Sequence, residues 1–321
     1  MNLDDVTTVG DVGEFNLIRR ITDGLSMPPA VSVGPGDDAA CLLVDGSCVV
    51  STDMFVEGVH FRRDWSTATD MGRKVVAASV ADIEAMGASP LIIVVALGLP
   101  RNTTQAWADE FNNALLGECD RARVSLAGGD LSSAPQITVT VTAVGETGGL
   151  PAITRSGARP GQVVAVNGRL GWAAAGLAAL GRGFRSPKAV VDAYRYPLVP
   201  YGAGRQAALA GATSMIDVSD GLLADLGHIA IASGVAIDLD SSYFTIADPV
   251  LAVGQALGVD PLAYALTGGE DHALAATFGM GNVPKQWRVI GRVAPVGTLP
   301  PGSVLVDGRD WGGPSTGWRH F

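Results

Sequence analysis

The 321 residues carry 32 acidic and 22 basic side chains, a net charge of −10, with 47% hydrophobic and 17% charged residues. That balance excludes a disordered chain or a coiled coil, and the acidity argues against nucleic-acid binding, whose nonspecific affinity comes from Lys and Arg displacing counterions. The longest apolar run, Leu91 to Leu97, falls far short of the roughly 20 residues that span a bilayer, so no membrane segment is expected.

The length suits two domains of roughly 150 residues each. The opening Met-Asn-Leu-Asp-Asp has neither a basic segment nor an apolar stretch behind it, which predicts a cytoplasmic chain. Cys41, Cys48 and Cys119 lack CxxC spacing and read as reduced, buried thiols rather than a disulfide frame or a zinc site.

In chain order, Phe15, Ile18 and Ile21 recur at helical spacing between Gly13 and Thr22, and Met27-Pro28-Pro29 closes that element. Two apolar runs, Ala39 to Val44 and Cys48 to Thr52, flank Asp45-Gly46 and predict a hairpin. Helices are expected over 70–86 and 103–121, and strands over 90–99, 124–127 and 137–144. Turn formers cluster at Gly148-Gly149-Leu150-Pro151, which places a boundary between domains 1–148 and 149–321. The second half predicts strands over 162–166, 213–217, 235–239, 272–278, 287–293 and 303–306. Its helices are expected over 172–180, 186–196, 201–210 and from Gly221 to about Ser233. The fold class is mixed α/β (α+β) in two domains.

Common nucleotide signatures fail. No Gly-Lys-Ser/Thr occurs, and the chain holds only Lys74, Lys188 and Lys285. Gly34-Pro35-Gly36-Asp37-Asp38-Ala39 matches GxGxxA by letter, but a strand-like run follows it and its two carboxylates would repel a pyrophosphate. The four histidines show no zinc spacing, and no GxSxG elbow is present.

The acidic residues are unevenly placed: residues 1–150 hold 20 acidic against 9 basic side chains, and residues 151–321 hold 12 against 13. Of the 32, 25 are Asp, the short carboxylate favoured in turns and around hard cations. Asp53 ends an apolar run, Asp130 follows Ala127-Gly128-Gly129 just after a strand, and Asp82 lies inside an apolar helix. Unpaired and ionised, such carboxylates would cost several kcal/mol. Magnesium relieves that cost by taking one or two carboxylates and completing its shell with water and phosphate oxygens. Ile216-Asp217-Val218-Ser219-Asp220-Gly221 ends a strand and opens a helix, where Asp217 or Ser219 suits either an N-cap or a phosphate site. Asp37 or Asp38, Asp53, Asp82, Asp130, Asp217 and Asp220 together favour a polynuclear magnesium site holding a polyphosphate.

Gly36-Asp37-Asp38-Ala39-Ala40, Ser51-Thr52-Asp53, Ser79-Val80-Ala81-Asp82, Gly128-Gly129-Asp130, Thr154-Arg155-Ser156-Gly157, Asp217-Val218-Ser219-Asp220-Gly221-Leu222 and Gly268-Gly269-Glu270-Asp271 resemble, in this order, the thiamine-monophosphate kinase family. The resemblance runs from Glu14 to the final Gly317-Trp318-Arg319-His320-Phe321. It implies the fold shared with aminoimidazole ribonucleotide synthetase, the first domain pairing its sheet with a second subunit in a homodimer. It also implies magnesium-dependent transfer of the γ-phosphoryl of ATP to thiamine monophosphate.

By the same resemblance Asp38, Ser51, Thr52, Asp53, Asp82, Asp130, Asp217 and Asp220 are ligands of several magnesium ions. Gly129, Asp130, Arg155 and Ser219 contact ATP; His60, Glu270 and Trp318 face the thiamine; and Asp130, Arg155 and Asp217 carry catalysis. Competing readings are another ATP-dependent enzyme of the same superfamily, such as aminoimidazole ribonucleotide synthetase, or a non-catalytic acidic metal-binding protein. The catalytic cysteines of some superfamily members have no counterpart in Cys41, Cys48 or Cys119.

Overall fold

The computed structural model describes residues 7–36, 39–295, 297, 299–313 and 317. The chain divides into two compact units, Met1–Ile83 with Pro90–Gly149, and Glu84–Ser89 with Leu150–Phe321.

The first unit begins with helices α1 (Val9–Val12) and α2 (Glu14–Thr22) and the short strands β1 (Val31–Val33) and β2 (Cys41–Leu42). There follow β3 (Cys48–Val56), α3 (Ala68–Ala85), β4 (Ser89–Leu99), α4 (Gln105–Ala122), β5 (Ser125–Ser133) and β6 (Thr138–Glu146). Thr104 caps α4 by accepting the Trp107 N–H at 3.1 Å. The main sheet has the order β3-β6-β4-β5, antiparallel between β3 and β6 and parallel between β4 and β5. Alternation along β3 puts Ser51, Asp53 and the buried Phe55 on one face and Val50, Thr52 and Met54 on the other.

The hairpin expected around Asp45-Gly46 does not form. Residues Cys48 to Val56 pair with Glu146 to Thr138, while β2 pairs with β1. The Asp45-Gly46 turn exists, but its bonds are long-range: the Asp45 N–H donates to Glu146 Oε2 at 2.6 Å and the Gly148 N–H to the Asp45 carbonyl at 2.9 Å. Nine residues of unbroken antiparallel register on β6 outweigh the short Ala39–Val44 run as a partner for β3. Two of the three cysteines also depart from expectation, since Cys41 and Cys48 are exposed and Cys119 alone is buried.

The second unit holds β7 (Val163–Asn167), α5 (Trp172–Gly181), α6 (Lys188–Arg195), α7 (Ala203–Leu209), β8 (Ser214–Val218), α8 (Leu222–Ser233) and β9 (Ile237–Leu239). It continues with α9 (Asp248–Leu257), α10 (Pro261–Thr267), β10 (Ala273–Phe278), β11 (Arg288–Val293) and β12 (Val304–Val306). Helices α9 and α10 were not expected, although each carries a proline in its first turn and Asp260 caps the second. The sheet order is β12-β9-β11-β7-β10-β8, antiparallel except for β12 beside β9.

Both faces of this sheet are covered. Val164, Val166, Ile216, Val218 and Ala275 meet Leu222, Leu226 and Leu266 on one side, whereas Ala165, Met215, Leu274 and Phe278 meet Ala203 and Ala207 on the other. All five residues of β8 are buried, so a carboxylate there, at Asp217, must find a polar partner.

Candidate active site

In the first unit, Asp82 projects from α3 toward the inner face of β3 and accepts a hydrogen bond from the Ser51 hydroxyl. Asp53 lies two residues along the same face, half-buried and with no hydrogen-bond or ion-pair partner among the described residues. Thr52 stands apart: its hydroxyl lies 3.2 Å from that of Thr142 on the opposite face. Asp130 lies inside β5, which continues past the end expected for it; the carboxylate is exposed and accepts from Ser132 Oγ at 3.0 Å. The neighbouring Gly129 admits no side chain, because a Cβ there would sit 2.1 Å from the Val95 carbonyl oxygen of the paired strand. Next to this strand lies an apolar cavity lined by Ile18, Ile21, Phe111, Leu115, Gly129 and Asp130.

The ring of His60 is set by its own turn. Its Nδ1 accepts the Val56 N–H at 3.0 Å, so the neutral imidazole carries its proton on Nε2, and the ring stands edge-on to Phe55 at 6.3 Å.

In the second unit the loops after β8 and before β10 interlock. The Glu270 N–H donates to the Ser219 carbonyl at 2.8 Å and the His272 N–H to the Val218 carbonyl at 2.9 Å. A Cβ on Gly269 would lie 2.4 Å from the Ser219 oxygen, so only glycine permits that crossing. Asp217 is 5% exposed, and its Oδ2 lies 3.1 Å from His272 Nδ1. Neither Asp217 nor Ser219 caps α8. Asp225, one turn in, accepts the Gly221 N–H at 2.9 Å and the Asp220 N–H at 3.2 Å instead. That leaves the side chains of Ser219 and Asp220 without a hydrogen bond or ion pair among the described residues.

Burial first, and then the charge of Asp217, push the Asp225 carboxyl up to about 7; burial likewise raises Asp271 to about 7 against the pull of the Ala173 and Gly171 N–H groups. These carboxyls titrate near 3.8 in the unfolded chain. Between that value and about 7 the folded protein therefore holds protons that the unfolded chain has released. Their stabilisation is full below the unfolded value and is lost as pH rises through the folded one. Metal-free protein is expected to melt at a higher temperature near pH 6 than near pH 8, with Asp225→Asn flattening the trend, by roughly 1–2 kcal/mol per group. A melting temperature unchanged across that window would contradict this.

Arg155 is exposed and lies at the other end of β8 from Ser219: the carbonyl of neighbouring Thr154 accepts the Met215 N–H at 3.2 Å. No contact joins its guanidinium to Ser219 among the described residues. Asp38 and Trp318 lie outside the described residues. Asp225 and His272 were missed. Asp225 interrupts the apolar run Leu222-Leu223-Ala224-Asp225-Leu226, the signal that singled out Asp82, whereas His272 carries no spacing cue.

Residues 36–147 match the AIR synthase related protein, N-terminal domain family. Over 316 residues the sequence is 48% identical to a thiamine-monophosphate kinase of Mycobacterium tuberculosis, covering 98% of this chain and 93% of that one. The chain belongs to the thiamine-monophosphate kinase family. Identity to the thiamine-monophosphate kinase of Corynebacterium glutamicum is 39% over 330 residues, covering 100% of this chain and 97% of that one. A solved structure of AaThiL complexed with AMPPCP and TMP matches with a TM-score of 0.79 at 29% identity, covering 100% of this chain and 99% of that chain. The mixed α/β fold is thus that of thiamine-monophosphate kinases, as the sequence implied.

Proposed function

We propose that this chain transfers the γ-phosphoryl of ATP to thiamine monophosphate, giving thiamine diphosphate and ADP. The observation that carries this reading is the full-length match to a structure holding AMPPCP, an ATP analogue, together with TMP. The acidic residues suit such a reaction. Phosphoryl transfer asks little covalent help of the protein; it needs aligned oxygens and a site that offsets spreading charge. The acceptor is itself a phosphate, largely ionised near neutral pH, so no strong general base is required.

The donor set fits magnesium. Its ligands are hard oxygens, and the described residues contain no ready-made group of three or more metal-binding side chains. Magnesium is usually held by one or two carboxylates, with substrate phosphates and water completing the shell. We assign this role to Asp53, Asp82 and Asp130, with the Ser51 hydroxyl, in the first unit and to Asp217 and Asp220 in the second; Asp38 takes the same role by the family resemblance, and Thr52 only through its main-chain oxygen, because its side chain stands on the other face of β3. Bound magnesium supplies neutralisation of the phosphate charge. Ser51 orients Asp82, the backbone of Gly129 meets a phosphate oxygen, and the apolar cavity beside it takes the base of the nucleotide. Arg155 and Ser219 bind phosphate oxygens, and His60 through Nε2–H, Glu270 and Trp318 bind the acceptor.

Purified protein with ATP, magnesium and thiamine monophosphate should release ADP and form thiamine diphosphate. Cation binding without product, or turnover only with an aminoimidazole precursor, would sink the reading.

The outer face of β3 leaves Val50 61% and Met54 56% exposed, apolar residues placed where a strand would ordinarily carry polar ones. We assign that face to a second copy of the chain in a cytoplasmic homodimer. Sedimentation should show a dimer that Val50→Asp with Met54→Lys converts to monomer; an unchanged sedimentation coefficient would remove this face from the interface.

A further inference from the structure

Glu270 and His272 both adopt left-handed backbone conformations, with φ of 63° and 49°. For residues other than glycine, asparagine and aspartate this conformation is strained, and such outliers persist only where their surroundings over-determine them. Here the surroundings are identifiable. Asp271, between the two, is 5% exposed and accepts the N–H groups of Gly171 and, at 2.8 Å, of Ala173, at the otherwise uncapped start of α5. The flanking N–H groups are bonded to Ser219 and Val218. In the antiparallel pair, Leu274 lies opposite Asp217, so His272, two residues earlier, is a diagonal neighbour of that carboxylate. The result is an imidazole whose side chain is 13% exposed, with Nδ1 at 3.1 Å from Asp217 Oδ2.

We propose that His272 is a positioning residue for Asp217: its Nδ1–H donates to Oδ2 and turns the other carboxylate oxygen toward the cation-bound phosphates. The inference rests on the reading of Asp217 as an ion ligand. Carboxylate ligands are commonly aimed by a second hydrogen bond, and losing that partner typically weakens metal affinity about 10- to 100-fold. Asparagine is the informative replacement. Its Nδ2 occupies the place of the imidazole Nδ1, and it tolerates the left-handed backbone.

The test measures Mn2+ binding by electron paramagnetic resonance, with AMPPCP present, for wild type, Asp217→Asn, His272→Ala and His272→Asn, each first checked by thermal melting without metal. Expected are weakened binding in Asp217→Asn, about 10- to 100-fold weaker binding in His272→Ala, and recovery to within about threefold of wild type in His272→Asn. The magnesium concentration for half-maximal ADP release should follow the same order. Weakening in Asp217→Asn with His272→Ala unchanged overturns the role of His272 alone. Unchanged binding in Asp217→Asn overturns the reading of Asp217 and the proposal with it. Equal loss in His272→Ala and His272→Asn, both folded, overturns the hydrogen-bond account.

Discussion

Asp130→Asn is expected to lower the rate of ADP release with thiamine monophosphate by at least about 100-fold while leaving the metal-free protein as stable as wild type. The carboxylate is exposed on β5 and accepts a hydrogen bond from the Ser132 hydroxyl two residues away. Asparagine keeps the shape and one acceptor oxygen, so the folded chain loses little; surface changes of this kind usually stay within about 0.5 kcal/mol. What asparagine removes is the charge, in a unit whose sequence holds far more carboxylates than cations. Steady-state assays and thermal melts in chelator test both halves. A drop in metal-free stability above roughly 2 kcal/mol, the scale of a lost buried partner, would show Asp130 to be structural instead.

Asp271→Ala has the opposite signature: a loss of about 2–4 kcal/mol in stability. Two buried N–H groups, those of Gly171 and Ala173, lose their acceptor at the start of α5, at about 1–3 kcal/mol each. Part of that is offset, because the burial that raises this carboxyl no longer acts. The flanking left-handed residues lose their anchor as well. Asp271→Asn should recover only part of the loss, since one amide nitrogen would then face a donor. Denaturant titration gives the comparison, and a wild-type midpoint in Asp271→Ala would mean that the interlocked loops hold without this carboxylate.

These two residues differ in how far a sequence can expose them. Asp130 follows Gly128-Gly129 at the end of an apolar run, a context that turn chemistry explains poorly. Asp271 stands inside Gly268-Gly269-Glu270-Asp271, and nothing along the chain says that its partners lie about 100 residues upstream. Helices α2, α3 and α4 and strand β4 were legible because each carries its own periodicity and stop signals. The Asp45-Gly46 turn was legible too, but its consequence was not, because Cys48–Val56 pairs with the distant β6 and Cys41–Leu42 folds back on the nearby β1 instead.

Sequence alone determined the chemistry on offer: an acidic, lysine-poor chain rich in short carboxylates, with glycine where backbone must come close, as at Gly129. It could do so because charge and steric bulk belong to residues individually. Tertiary structure decided the division of labour among those carboxylates. Asp225 caps the turn at Gly221, Asp271 anchors α5, and Asp217, relieved of capping, meets His272. A carboxylate's task depends on which donors reach it, and in this chain those donors come from strands and helices that only folding brings alongside.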